Sequence, residues 1–355
     1  MKVYVRTPAR LHLGLIDLGG ELGRVFGGIG VAINRPNVVL EAESAQNLEF
    51  KGEKSEDLRP IVELLVKKYN IKSQVSINVR QTIPEHVGLG SGTQLSLAAA
   101  VAVSRLFRLN VSVESLALLT GRGQVSGVGT ALFEKGGFVV EAGLKSQGNK
   151  PNPQTLINFP PVIFRQPLPE DWFFVVAVPD VKKGFSGQEE AAAFRHLQPM
   201  HKEKAALISH LIVMGLLPAL KERDIETFGK SLTEIQSIVG DYFATVQGAR
   251  FSSFPAGDCI KHMLENGARG AGQSSWGPTV YGLAHGEVEA KKLSVSTKKF
   301  LQGSVGGQVF FTTANNKGAY IKSTASQNPE LGENARKQDL FKSNFGERKR
   351  ELYIG

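Results

Sequence analysis

Hydrophobic and polar positions alternate along this chain with two different periods. The switch between them sets the expected order of elements. Val75, Ile77 and Val79 alternate with polar neighbours, as a half-buried strand requires. From Gln94 to Leu109 there is neither glycine nor proline, and Leu, Ala and Val dominate, which predicts a mostly buried helix. Before this pair, Lys2 to Thr7 and Val38 to Glu43 read as strands. Over residues 55–70, Leu58, Ile61, Val62, Leu64, Leu65 and Tyr69 fall on or near one face of a packing helix. After it, Val113 to Leu119 reads as a second helix, and a strand starts at Phe138. Trp172 to Val178 is almost continuously apolar, the pattern of a strand buried on both faces. Glu189 to about Val239 and Ile260 to Glu265 read as helical, and Val288 to Phe300 as a helix or linker. Thr279–Leu283, Val309–Thr313 and Ala319–Lys322 read as strands.

The punctuation between elements is uneven. Gly19, Gly20, Gly23, Gly27, Gly28 and Gly30 predict a long loop from Asp17 to Val31. Residues 144–170 are rich in Pro, Asn and Gln and read as an inter-domain connection, with a short strand at Val162 to Arg165. Beyond about Ser323 the chain is polar and charged, as a poorly ordered tail is.

The stretch Pro84-Glu85-His86-Val87-Gly88-Leu89-Gly90-Ser91-Gly92-Thr93-Gln94 lies between the strand and the buried helix. Gly88, Gly90 and Gly92 let the backbone approach a ligand, and Ser91 and Thr93 add hydroxyls. The free N–H groups of a following helix favour an anion. A phosphate cradle and a plain flexible turn both fit the glycines, and the strand before and helix after favour the cradle. It is not a Walker A loop, because Thr93 stands where Lys is needed, and G-x-G-x-G is not the dinucleotide spacing. Pro179 to Glu190, with Lys182, Lys183 and Ser186, fits either a second anion contact or an ordinary loop capping a helix. His196, His201 and His210 lack the i, i+4 spacing of a helical metal site, and no metal ligands are identified.

Composition narrows the class. The chain has 355 residues, 41% hydrophobic and 21% charged, which suits a globular protein of two domains. The single Cys259 rules out an internal disulfide and a cysteine zinc cage. No apolar run approaches the roughly 20 residues of a membrane span, and the start lacks a long apolar segment. A cytoplasmic location, without membrane contact, is the expectation. The net charge of +9 raises nucleic acid as a partner, but the basic residues are scattered and no aromatic-interleaved stripe occurs. Phosphorylated small molecules explain the charge equally well.

The loop pattern P-x-x-x-G-L-G-S-x-x-Q resembles the phosphate loop of the GHMP kinase superfamily. Pro8-Ala9-Arg10-Leu11-His12-Leu13-Gly14 resembles its first motif. Ser126-Gly127-Val128-Gly129 resembles the S-G-x-D segment of mevalonate-type kinases, whose Asp activates the substrate hydroxyl; here Gly129 takes its place. Asp17, Arg24, Gly121-Arg122-Gly123, Gly184 with Ser186-Gly187 and Glu190, and Gly272-Gln273-Ser274-Ser275-Trp276-Gly277-Pro278 extend the likeness. Together they resemble one branch, the β-ribofuranosylaminobenzene 5′-phosphate synthases of methanopterin biosynthesis.

That resemblance implies an α+β, GHMP-kinase-like two-domain fold. A ribosomal protein S5 domain 2-like domain would cover 1–160, a ferredoxin-like domain 161–323, and the tail 324–355. It implies condensation of 4-aminobenzoate, or 4-hydroxybenzoate, with phosphoribosyl pyrophosphate, releasing CO₂ and pyrophosphate, with Mg²⁺ as cofactor and a homodimer as assembly. Carried onto this chain, it implies catalytic roles for Asp17, Arg24 and His12. Phosphate would be held by Gly88, Gly90, Ser91, Gly92 and Thr93, and substrate by Arg10, Ser186, Gln273, Ser274, Ser275 and Trp276, the Trp stacking on the aryl ring. An ATP-dependent small-molecule kinase is the alternative, and Gly129 argues against it because proton removal needs a base within reach.

Overall fold

The computed structural model describes residues 1–146, 159–185 and 187–324. Ser186, Pro151 and Pro153, and all of the expected tail beyond Thr324, lie outside them. The first half runs β1 (Lys2–Arg6), β2 (Ala9–Asp17), β3 (Arg24–Ile33), β4 (Val39–Ala45), β5 (Glu49–Gly52), α1 (Arg59–Lys68) and β6 (Gln74–Gln81). It continues with α2 (Ser91–Leu106), α3 (Val113–Leu119), α4 (Val128–Lys135), β7 (Phe138–Glu141), β8 (Leu144–Lys145) and β9 (Val162–Gln166). The second half runs β10 (Trp172–Pro179), α5 (Gln188–His196), α6 (Lys202–His210), a π-helical turn (Leu211–Leu216), α7 (Leu217–Glu222) and α8 (Ile225–Gln247). It closes with α9 (Phe254–Glu265), β11 (Gly270–Gln273), β12 (Val280–His285), α10 (Gly286–Gln302), β13 (Gly307–Thr313) and β14 (Tyr320–Thr324).

Three sheets organise these elements, in the orders β14-β1-β4-β6-β5, β2-β3-β7-β9 and β11-β12-β10-β13. Strands and helices alternate irregularly and nearly all strand pairs are antiparallel, which makes the fold α+β, as expected. β9 lies beyond residue 160 in sequence yet pairs with β7, and β14 returns to pair with β1. Helix α2 is buried almost all round, from Gln94 through Ser104. A glycine- and proline-free apolar helix can bury every face only at the centre of a fold, and α2 packs on β1 and β4 and against α1, α3 and α4. In the second half Val175 and Ala177 of β10 pack on Cys259, Met263, Ala290 and Leu293 of α9 and α10.

Two expectations change. The run from Asp17 to Val31 is not a loop. It is the turn and second strand of a β2–β3 hairpin, paired from Ala9–Ile33 to Asp17–Phe26. Gly30 is there for packing: a Cβ would come within 2.4 Å of Val128 Cγ1, so its absence lets α4 lie close on the strand. Second, Lys202–Glu222 forms one continuous helical run of 21 residues, long and apolar enough to span a membrane by length and composition. Ala205, Ile208, Ile212, Leu216, Ala219 and Leu220 on this run are buried in the protein core.

Candidate active site

The glycine stretch forms a turn into α2, and its geometry follows from two glycines. Gly88 has φ +92° and Gly90 φ +77°, in the left-handed region that side chains avoid. A Cβ on Gly88 would meet the Ser274 carbonyl oxygen at 2.3 Å, and one on Gly90 would meet Arg10 Cγ at 2.7 Å. The helix therefore starts at Ser91, three residues earlier than periodicity predicts, with Ser91, Gly92 and Thr93 as its first turn. Gly90 is the cap residue and supplies no side-chain acceptor. The N–H groups of that turn have no intrahelical acceptor either, which leaves them able to donate to an anion.

The loop is held from two other elements through its carbonyls. On β2, Arg10 Nη1 donates to Gly88 O at 2.6 Å and Arg10 N to Leu89 O at 3.1 Å. In the β11–β12 turn, Ser274 Oγ donates to Gly88 O at 2.6 Å and Thr279 N to Val87 O at 3.1 Å. Ser274 Oγ also accepts from His12 N at 3.0 Å, and Ser275 N donates to His12 O at 3.2 Å. Three distant parts of the chain thus meet at one place, with Arg10, His12, Ser274 and the phosphate loop as neighbours.

Charge around the loop is set by burial. Arg10 is lowered to about 10 by burial, against the opposing pull of Glu190. Glu190, on α5, is raised by burial, against Trp276 and Arg10; its Oε1 accepts from Trp276 Nε1 at 2.9 Å. His12 is lowered to about 3, first by burial and then by the Arg10 charge, so it is neutral at pH 7. Its Nε2 lies 3.2 Å from Ser126 Oγ. Beneath it Glu141 is fully buried and raised by burial to about 7. Its Oε2 accepts from Gly143 N at 2.7 Å. Its Oε1 makes no hydrogen bond of normal geometry, although Ser126 and the Gly127 N–H lie close enough to oppose the rise.

The other expected site residues are distributed as follows. Gln273 is structural in its contacts: Oε1 accepts from Ser252 N at 2.7 Å and Nε2 donates to Ser275 O at 2.9 Å. Trp276 sits among Phe185, Phe194 and Phe243, with ring centroids 5.2, 5.6 and 4.7 Å away. Those contacts fasten the β11–β12 turn to α5 and α8. Asp17 ends β2, and its Oδ1 accepts from Gly19 N at 2.7 Å and Gly20 N at 3.0 Å, closing the hairpin turn. Arg24 donates through Nε to Ala142 O and through Nη2 to Gly143 O, at 2.8 and 2.7 Å. Asp17 and Arg24 therefore sit at the far end of the hairpin from Arg10, on the order of 20 Å along the strand at its usual rise. Ser186 lies outside the described residues.

Sequence reasoning gave no role to Glu141, Glu190 or Arg122. Glu141 has a signal in hindsight: an acid ending the otherwise apolar run Phe138-Val139-Val140. Gly129 is where the missing base predicts. A Cβ there would touch Thr93 Cγ2 at 3.2 Å and stand 3.7 Å from its Oγ1, so position 129 faces the phosphate loop and carries no carboxylate. Among the described residues no three His, Cys, Asp or Glu side chains converge on a point. The acids nearest the loop are engaged, Glu190 with Trp276 and Glu85 with Lys54 at 3.0 Å. Among the described residues the loop therefore has no cluster of three such ligands that would hold Mg²⁺ by protein groups alone.

Comparison with known proteins places this arrangement in a class. Residues 58–135 match the family described as GHMP kinases N terminal domain, and residues 216–300 match GHMP kinases C terminal. The fold matches a homoserine kinase from Cytophaga hutchinsonii with TM-score 0.63 and 18% identity, over 90% of this chain and 97% of that one. Within that class the likeness is much closer to one group. The chain is 37% identical to the β-ribofuranosylphenol 5′-phosphate synthase of Methanothermobacter thermautotrophicus, over 90% of this chain and 99% of the relative. It is 35% identical to the synthase of the same name from Archaeoglobus fulgidus, over the same shares. The chain belongs to the β-ribofuranosylphenol 5′-phosphate synthase family, built on the GHMP kinase fold.

Proposed function

We propose that this enzyme is a decarboxylating phosphoribosyltransferase. It joins the ring of 4-hydroxybenzoate or 4-aminobenzoate to the ribosyl carbon of phosphoribosyl pyrophosphate. The names of its relatives specify a phenol product, which favours 4-hydroxybenzoate. The observation that carries the reading is Gly129. At the position facing Thr93 and the phosphate loop, a kinase of this fold would need a carboxylate to take a hydroxyl proton, and glycine has none.

The proposed chemistry needs no such base. The bond from ribosyl carbon to pyrophosphate oxygen breaks, and its electron pair leaves with pyrophosphate. The ring carbon bearing the carboxylate supplies the pair for the new carbon–carbon bond, pushed by the para hydroxyl or amino group. The bond to the carboxylate then breaks, its pair restores the aromatic ring, and CO₂ departs. In this reading the first-turn N–H groups of α2, with Ser91 and Thr93, hold pyrophosphate, and Arg10 adds positive charge beside them. Asp17, which closes the hairpin turn, and Arg24, bonded to the Ala142 and Gly143 carbonyls, lie on the order of 20 Å along the strand from Arg10 and are given no part in this step. Mg²⁺ would be brought by the substrate and would offset the negative charge of the leaving pyrophosphate.

The test uses purified protein, Mg²⁺, phosphoribosyl pyrophosphate and either benzoate labelled at the carboxyl carbon. Label released as CO₂ only when both substrates are present supports the reading. Absence of release with both benzoates, together with ATP turnover on an alcohol, sinks it in favour of the kinase.

A further inference from the structure

Arg122 lies in the turn between α3 and α4, within Gly121-Arg122-Gly123. The structure lays its guanidinium along the first turn of α2. A Cβ on Gly92 would stand 3.3 Å from Arg122 Nη1 and 3.4 Å from Nη2. Nη2 donates to Ser96 Oγ, one helical turn further on, at 3.0 Å. Nε is fully buried and has no hydrogen-bond partner among the described residues. Among the described residues no carboxylate pairs with it, and burial alone lowers its pKa. This sets it apart from Arg10, whose charge is met by Glu190.

Arg122 is partly buried; a cation drawn out of water without a counter-charge is costly, and natural proteins keep one where an anion completes it. Here the guanidinium without a carboxylate and the uncapped helix start lie side by side. We propose that Arg122 is a phosphate-binding residue of the active site, closing on the pyrophosphate of the substrate and product from the Gly92 face of α2. This rests on the phosphoribosyl transfer reading above. The planar guanidinium keeps Nη2 on Ser96 as a fixed anchor, while Nη1 is the nitrogen left for the ligand.

The test is calorimetric titration of inorganic pyrophosphate into the wild-type protein, Arg122→Gln and Arg122→Lys, with melting temperatures measured with and without pyrophosphate. A lost charge-assisted bond should weaken binding by roughly 10- to 100-fold in Arg122→Gln, with partial recovery in Arg122→Lys. The ligand-free melting temperature of Arg122→Gln should not fall, because an unpaired, partly buried charge has been removed, while the rise produced by pyrophosphate should shrink. A merely structural arginine would give the opposite pair: a lower ligand-free melting temperature and unchanged pyrophosphate affinity. Equal affinity in wild type and Arg122→Gln overturns the inference and leaves the functional reading standing. A wild-type protein that does not bind pyrophosphate overturns both.

Discussion

Two buried ionisable side chains under the loop, His12 and Glu141, give this protein opposite responses to pH. Glu141 is raised from 4.5 to about 7, so the folded protein holds a proton that the unfolded chain has already released. Its contribution to stability is complete below pH 4.5 and is lost as pH rises through 7. His12 is lowered from 6.5 to about 3, so folding requires the neutral ring. Its contribution is complete above pH 6.5 and is lost as pH falls through 3. Urea unfolding between pH 5 and 8 should therefore show Glu141→Gln gaining on wild type as pH rises, by up to about 3 kcal/mol. His12→Gln should gain on wild type as pH falls from 6.5 toward 3. Parallel stability curves for wild type and Glu141→Gln would mean that the carboxyl is already ionised in the folded protein. Neither effect is legible in sequence. His12 was singled out by its motif, but its neutrality comes from burial beside Arg10. Glu141 and His12 come close to Gly28 together only because β3 pairs with β2 on one edge and with β7 on the other.

Elements, more than single residues, build the phosphate loop. The loop and α2 were legible because they are local: an alternating strand, glycines and an apolar helix in one stretch of chain. What holds them comes from more than seventy residues away on one side and well over a hundred on the other. Ser274 was expected to contact substrate. The structure gives its hydroxyl two protein bonds, one to Gly88 O and one from His12 N, and it is fully buried. Ser274→Ala leaves the buried His12 N–H without an acceptor, which should cost about 2 kcal/mol of unfolding free energy in urea. It should also loosen the loop and weaken pyrophosphate binding. Ser275 joins the network through its backbone alone, so Ser275→Ala serves as the neighbouring control, within about 0.5 kcal/mol of wild type. Similar losses in both variants would show that the turn, and not the Ser274 hydroxyl, carries the tie. The β2–β3 hairpin hides in the sequence for a related reason. Glycines that signal a loop when read alone, such as Gly30, here admit α4 onto a strand, and only the packed structure distinguishes the two uses.

At the scale of the molecule, the two halves are interleaved rather than strung in series. The strand Val162–Gln166 pairs with Phe138–Glu141, and Tyr320–Thr324 pairs with Lys2–Arg6. Pairings that span over 300 residues leave no mark on local periodicity, so sequence showed these strands but not their neighbours. One hydrophobic cluster also runs from Val3 and Leu40 through α2 to Trp172, Phe228 and Leu232. A cut at the proline-rich connection would therefore not free an intact domain. A fragment of residues 1–160 lacks β9 and β14, leaves the edges of β7 and β1 unpaired, and exposes apolar surface that Phe228 and its neighbours cover. Phe138 alone loses a ring contact with Phe228 at 5.7 Å and one with Phe164 at 6.5 Å. The full chain should unfold in urea in a single transition followed alike by circular dichroism and tryptophan fluorescence, because both tryptophans, Trp172 and Trp276, sit in the shared cluster. The 1–160 fragment should aggregate or lack a cooperative transition. Cooperative unfolding of that fragment would show that the S5-like sheet closes without its last strand, and that the interleaving serves to position the β11–β12 turn against the phosphate loop rather than to complete the fold.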